Sequence, residues 1–170
     1  MRSSHVNKYW YDENQPFGTI PQDVLLSTSG LELARKIVAG ELPAPSMGKA
    51  LNFRMAEADE GRVVFRGTPL DEHYNPAGTV HGGWASAILD SSLACCVWTM
   101  VPVGFFYTTA EFKVNLIRPM TDKTGEVICE GRVVHIGRKL ATSEATLKTL
   151  DGKLIAHGTE TCAILSPKDL

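Results

Sequence analysis

The stretch GGWASAILDSSLACCVWTM, residues 82–100, decides the architecture. Two glycines open it, and from Trp84 to about Met100 apolar side chains fall on nearly every face of a helix, the pattern of a helix enclosed by other structure. One charged residue interrupts it: Asp90, set among Ile88, Leu89, Leu93 and Ala94. An unpaired carboxylate in that company is costly. Either a neighbouring hydroxyl, Ser86 or Ser91, satisfies it structurally, or the charge serves chemistry.

Outward from the helix the period changes from helical to two. Upstream, Leu51, Phe53 and Met55 share one side, and Val63 and Phe65 follow the turn Asp59-Glu60-Gly61, which predicts two antiparallel strands. A loop with Pro69 and Pro76 leads from them to Gly82. Downstream, Ala110, Phe112, Val114 and Leu116 alternate with Glu111, Lys113 and Asn115 until Arg118-Pro119 ends the run. Three more strands follow at roughly 126–136, 139–149 and 153–165, turning at Gly137-Arg138 and Asp151-Gly152, the latter a type I′ signal. Two strands, one long buried helix and four strands make an α+β domain, an antiparallel sheet of about six strands wrapped around the helix.

That domain is expected over residues 46–170, behind an N-terminal extension of residues 1–45. The first thirty residues lack periodicity and carry an aromatic patch, Tyr9-Trp10-Tyr11. Ser29 and Glu32 have capping-box spacing, so a short helix is predicted over 29–40, stopped by Gly40 and followed by an extended linker with Pro43 and Pro45. The chain of 170 residues balances 17 Lys and Arg against 19 Asp and Glu, a net charge of −2, which speaks against a nucleic-acid partner. Its four cysteines, Cys95, Cys96, Cys129 and Cys162, form no CxxC and read as reduced core residues. No apolar h-region occurs in residues 1–20, and the run Trp84 to Val103 is broken by Ser86, Asp90, Ser91 and Ser92; no membrane association and a cytoplasmic location are expected.

Chemistry concentrates in NPAGTVHGGWASAILD, residues 75–90. Gly82 and Gly83 at a helix start offer unpaired backbone N–H groups, unshielded by side chains, where the helix dipole adds positive potential. Such a site suits an oxygen that becomes negative as a thioester carbonyl is attacked. From His81 to Asp90 a helix rotates about 900°, equivalent to half a turn, and rises about 13 Å. The two cannot meet within one subunit. If both serve one site, they come from different chains, and a homodimer with two composite sites follows.

Over about 46–165 these residues resemble the hotdog-fold thioesterases of the PaaI type, whose pattern of an Asn or Gln, a Gly-containing loop, His-Gly-Gly and an acid nine residues after the His is met by Asn75, His81, Gly82, Gly83 and Asp90. The resemblance implies hydrolysis of an acyl- or aryl-CoA to free acid and CoA, with no cofactor, since coenzyme A enters as part of the substrate. It assigns Asn75 and His81 to orienting the thioester and water, the Gly82 N–H to the carbonyl oxygen, and Asp90 of the partner subunit to the role of general base or nucleophile. Thr109, or Thr108 one position away, would support the acid. Gly83 would lie against the substrate, and the CoA phosphates would meet the Gly137-Arg138-Lys139 turn, with Arg118 as second choice. Relatives form homodimers, which pair further into tetramers.

Two other readings compete: a non-catalytic acyl-CoA sensor, for which residues 1–45 lack a basic DNA-binding module, and a hotdog hydratase or dehydratase, whose Asp-to-His order is absent. His5, His73, His135 and His157 have no partners at ligand spacing, so no metal is implied. A thiol nucleophile at Cys95 or Cys96 lacks an activating His nearby in sequence. Met47, Met55 and Met100 read as core or tunnel lining. The segment 31–45 is expected to pack beside the helix and narrow an acyl tunnel.

Overall fold

In chain order the elements are helices α1 (Gln22–Ser27), α2 (Gly30–Val38) and α3 (Ser46–Ala50), strands β1 (Phe53–Asp59) and β2 (Arg62–Gly67), helix α4 (Gly82–Trp98), and strands β3 (Phe106–Leu116), β4 (Val127–Ile136), β5 (Leu140–Thr149) and β6 (Leu154–Leu165). The computed structural model describes residues 15–166 and Lys168; the first fourteen residues of the extension, with His5 and Tyr9-Trp10-Tyr11, lie outside the described residues. The six strands form one antiparallel sheet in the order β1-β2-β4-β5-β6-β3, and α4 packs across its inner face. This is the α+β arrangement expected of a hotdog fold.

Apolar burial holds the helix there. Ile88, Leu89, Leu93 and Val97 are fully enclosed against Val63, Val127, Cys129, Leu147 and Ala156, each such large side chain contributing about 1.5–3 kcal/mol. Close approach depends on Gly131 of β4, where a Cβ would lie 2.2 Å from the Ser92 carbonyl oxygen. Ser143 Oγ of β5 donates to the Leu93 carbonyl at 2.9 Å, a second tie between helix and sheet.

Burial along α4 is one-sided. Trp84-Ala85, Ile88-Leu89, Ser92-Leu93 and Cys96-Val97 are buried in successive turns, whereas Ala87, Asp90, Ser91, Ala94 and Cys95 are only partly covered. The expectation of a helix enclosed on every side is therefore corrected within one chain. The same uncovered strip continues onto β3, an edge strand: Phe112 and Leu116 face the helix side, opposite Glu160 and Ala156 of β6, yet are 43% and 57% exposed.

Other details depart from the sequence reading. Ser29 caps α2 by accepting the Glu32 N–H at 3.3 Å, but α1 and α3 were not foreseen, and Leu51 ends α3 instead of starting a strand. The Asp151-Gly152 turn is not type I′, which needs positive φ at two residues. Only Gly152 has it, at φ 85°, and the Gly152 N–H bonds the Thr149 carbonyl. The loop is the three-residue kind, with glycine in the left-handed position.

Candidate active site

Helix α4 begins at His81, the N-cap, whose Nδ1 accepts the Gly83 N–H at 2.9 Å. That bond takes Gly83 out of the pair of free donors that the sequence offers, and it leaves the imidazole proton on Nε2. The Gly82 N–H has no acceptor among the described residues. One donor, at the positive end of a 17-residue helix, therefore remains for a ligand.

Asn75 shapes the loop before it. Its Oδ1 accepts the Ala77 and Thr79 N–H groups and its Nδ2 donates to Thr79 Oγ1 at 2.9 Å, leaving one amide hydrogen uncommitted. Asn75, Thr79, His81, Gly82, Leu116 and Arg118 line a cleft of about 290 Å³. Of the two cationic candidates, Arg118 stands in this cleft. The exposed Arg138 and Lys139 lie at the other end of the sheet, where the Ile164 N–H bonds the Lys139 carbonyl.

Asp90 lies further along α4, half-buried. The two serines that could have satisfied it do not: Ser86 Oγ donates to the Gly82 carbonyl and Ser91 Oγ to the Ala87 carbonyl. No hydrogen bond or ion pair reaches the carboxylate among the described residues. Burial alone pushes its pKa upward.

Thr109 points inward and Thr108 outward. Thr109, however, donates to Glu160 Oε1 at 2.9 Å, a partner that sequence reasoning missed. The signal was present: of the β6 residues facing the helix, Ala156, Gly158, Glu160, Cys162 and Ile164, Glu160 is the one charged residue, and strand parity alone would have marked it. Cys162 Sγ donates to the same oxygen at 3.0 Å. Burial raises the Glu160 pKa, and the Asp90 charge raises it further, against the two hydrogen bonds.

Burial pushes the Cys95, Cys96 and Cys129 thiols up to about 12, so none offers a thiolate near neutrality. Among the described residues no group of three or more His, Cys, Asp or Glu could hold a metal ion, and no helix is long and apolar enough to cross a membrane. His73 is structural: its Nδ1 accepts the Leu70 N–H at 3.0 Å. A second, apolar cavity of about 130 Å³ lies between the extension, β1 and α4, with Phe17, Ile37, Ala44, Met47, Ser91 and Cys95 among its walls.

Residues 77–156 match the family model of the thioesterase superfamily. Acyl-coenzyme A thioesterase 13 of Homo sapiens is 28% identical over 125 residues, covering 68% of this chain and 87% of that protein. Among solved structures, a thioesterase family protein from Silicibacter pomeroyi superposes with a TM-score of 0.70 at 26% identity, over 81% of this chain and 99% of that one. A single-site variant of the phenylacetic acid degradation protein PaaI from Thermus thermophilus does so with a TM-score of 0.63 at 26% identity, over 69% of this chain and 97% of that one.

Proposed function

We propose that the chain is a hotdog-fold thioesterase of the PaaI type that cleaves an acyl- or aryl-CoA to free acid and CoA, using Asp90 of one subunit with Asn75, His81 and Gly82 of its partner, a reading supported by the match to the thioesterase superfamily over residues 77–156 and by the likeness to acyl-CoA thioesterase 13 and PaaI. The observation that carries this reading is Asp90: a half-buried carboxylate with no partner of its own, on the uncovered side of the central helix. The Gly82 N–H is the complementary half, a free donor about 12 Å away along the same helix.

A two-fold axis through β3 would reconcile the separation. A Cβ on Gly82 would lie 2.7 Å from Leu116 Cδ1, so the oxyanion donor sits at one end of β3, while Thr109 lies toward the other. Pairing two copies of β3 antiparallel about the strand's middle brings each Leu116 end beside the other copy's Thr109 end. It also satisfies an open sheet edge and covers Phe112 and Leu116. Both cationic candidates then flank one composite site: one subunit gives Arg118 together with its own Gly82, and the other gives Arg138 with Lys139 at its Thr109 end, where Thr108 is paired with Ala163. These would meet the CoA phosphates.

In the reaction the thioester carbonyl oxygen takes the Gly82 N–H as negative charge develops, and Asp90 either removes a proton from the attacking water or attacks the carbonyl itself. Hydroxylamine trapping distinguishes them, since only direct attack forms an acyl-Asp90 anhydride. The acyl group would enter the 130 Å³ cavity beside Ser91 and Cys95. A dry cavity of about 150 Å³ holds one benzene, so an aromatic or short branched acyl group fits. Residues Phe17, Ile37 and Ala44 of the extension would wall it.

The test is thiol release from a panel of aromatic, short, medium and long acyl-CoA thioesters. CoA release that disappears in Asp90→Ala supports the reading. Tight binding without release would select the acyl-CoA sensor instead.

A further inference from the structure

Glu160 is the buried titratable group that this scheme leaves unused. It is 1% exposed, its Oε1 accepts from Thr109 and Cys162, and its Oε2 is buried without a hydrogen-bond partner among the described residues. A carboxylate enclosed in this way needs donors on both oxygens or a cation beside it. Glu160 faces Tyr107, Thr109 and Glu111 of β3, Asp90, Cys95 and Cys96 of α4, Ser143 of β5 and Cys162 of its own strand. None is a cation, and two are carboxylic acids. Ionising both Asp90 and Glu160 would set a second like charge against the first, and the enclosed Glu160, with one oxygen unpartnered, is the costlier of the two to charge. Asp90 is the less enclosed and ionises first.

We propose that Glu160 is a positioning residue of this active site, which keeps the second proton of a two-carboxyl pair on Oε2, anchors Thr109 through Oε1, and so confines the pair's negative charge to Asp90. The inference rests on the reading of Asp90 as the catalytic carboxylate. It gives Thr109 its part: the single hydroxyl proton is committed to Glu160, so the support that Thr109 lends the acid runs through Glu160. It also sets a limit at high pH. Once Oε2 loses its proton, a second negative charge opposes an attack that itself builds negative charge on the carbonyl oxygen, and the rate falls.

Two measurements on the full chain test this. Infrared difference spectra at pH 7 should show the carbonyl stretch of a protonated carboxylic acid in the wild type that is missing from Glu160→Gln. The kcat–pH profile of the wild type should fall about tenfold per pH unit beyond an alkaline limb, and Glu160→Gln, which cannot ionise, should lack that limb. Thr109→Val removes a hydrogen bond that favours the ionised form, so its limb should move to higher pH. This variant decides the matter should Glu160→Gln fail to fold. An acid band equally present in Glu160→Gln, or a limb at the same pH in wild type and variants, overturns the proposal. If the wild type releases no CoA from any thioester, the parent reading fails, while the infrared band still decides where the proton resides.

Discussion

Asp90→Asn should make the protein more stable while removing its reaction. The carboxylate is half-buried and unpartnered, and burial raises its pKa above the ordinary 3.8. A carboxyl whose folded pKa exceeds its unfolded value favours folding while it is protonated. That contribution is complete below the unfolded pKa and is lost as pH rises through the folded one. Above it the charge is carried at a cost, whereas asparagine is neutral throughout. An uncompensated buried polar group costs about 1–3 kcal/mol, and with one side of Asp90 open the low end applies, about 1 kcal/mol. For a chain of this size that corresponds to about 2–4 °C in Tm. Thermal unfolding followed by circular dichroism should show the variant melting above wild type by that margin at pH 8. The gap should close as pH falls into the carboxylate range. Thiol release should drop by about 10²–10⁴-fold, the span of general acid–base contributions. Equal melting at pH 8, a gap indifferent to acid, or retained hydrolysis would each refute the reasoning.

Gly82→Pro deletes the proposed oxyanion donor at the first helical position, which proline tolerates. His81 before it already has φ −60° and ψ 136°, as proline requires, so kcat should fall about 10²–10³-fold with the helix retained by circular dichroism; Leu116→Ala alongside relieves the ring's approach to that side chain. Ala44→Leu fills part of the 130 Å³ cavity and should raise KM for aryl-CoA thioesters while sparing acetyl-CoA; a uniform rise across the panel would place the acyl group elsewhere. Phe112→Lys with Leu116→Lys should convert a dimer to monomers in sedimentation velocity and abolish hydrolysis, and a monomeric wild type would count against the composite site.

The sheet and central helix were legible because alternation from Phe53 to Met55 and from Ala110 to Leu116, and the apolar run after Gly83, report local periodicity directly. The helix start was legible for the same reason, since His81-Gly82-Gly83 advertises open backbone. What was not legible depends on side-chain rotamers or on contacts between distant segments. That His81 Nδ1 consumes the Gly83 N–H, and that Ser86 and Ser91 turn back to their own helix instead of serving Asp90, follow from side-chain rotamers. Helix α3 is set by docking on β1, and its five residues are too few for a period to register. Glu160 was missed although its parity was readable, because a strand glutamate is usually turned outward, whereas its place in the alternation between Gly158 and Cys162 turns this one inward.

The sheet order has a consequence for how this chain reaches its working state. Strand β3 precedes β6 by some forty residues yet pairs with it along nearly its whole length, Phe106 with Leu165 and Leu116 with Ala156. Contacts so distant in sequence form late, after the nearer hairpins have closed. Until β6 docks, β3 has no neighbour in the sheet, Thr109 has no carboxyl to bind, and Asp90 stands without its companion acid. On the proposed scheme a partly made or partly unfolded molecule is inert as well as incomplete, and the appearance of hydrolysis during refolding would mark the last strand sliding home.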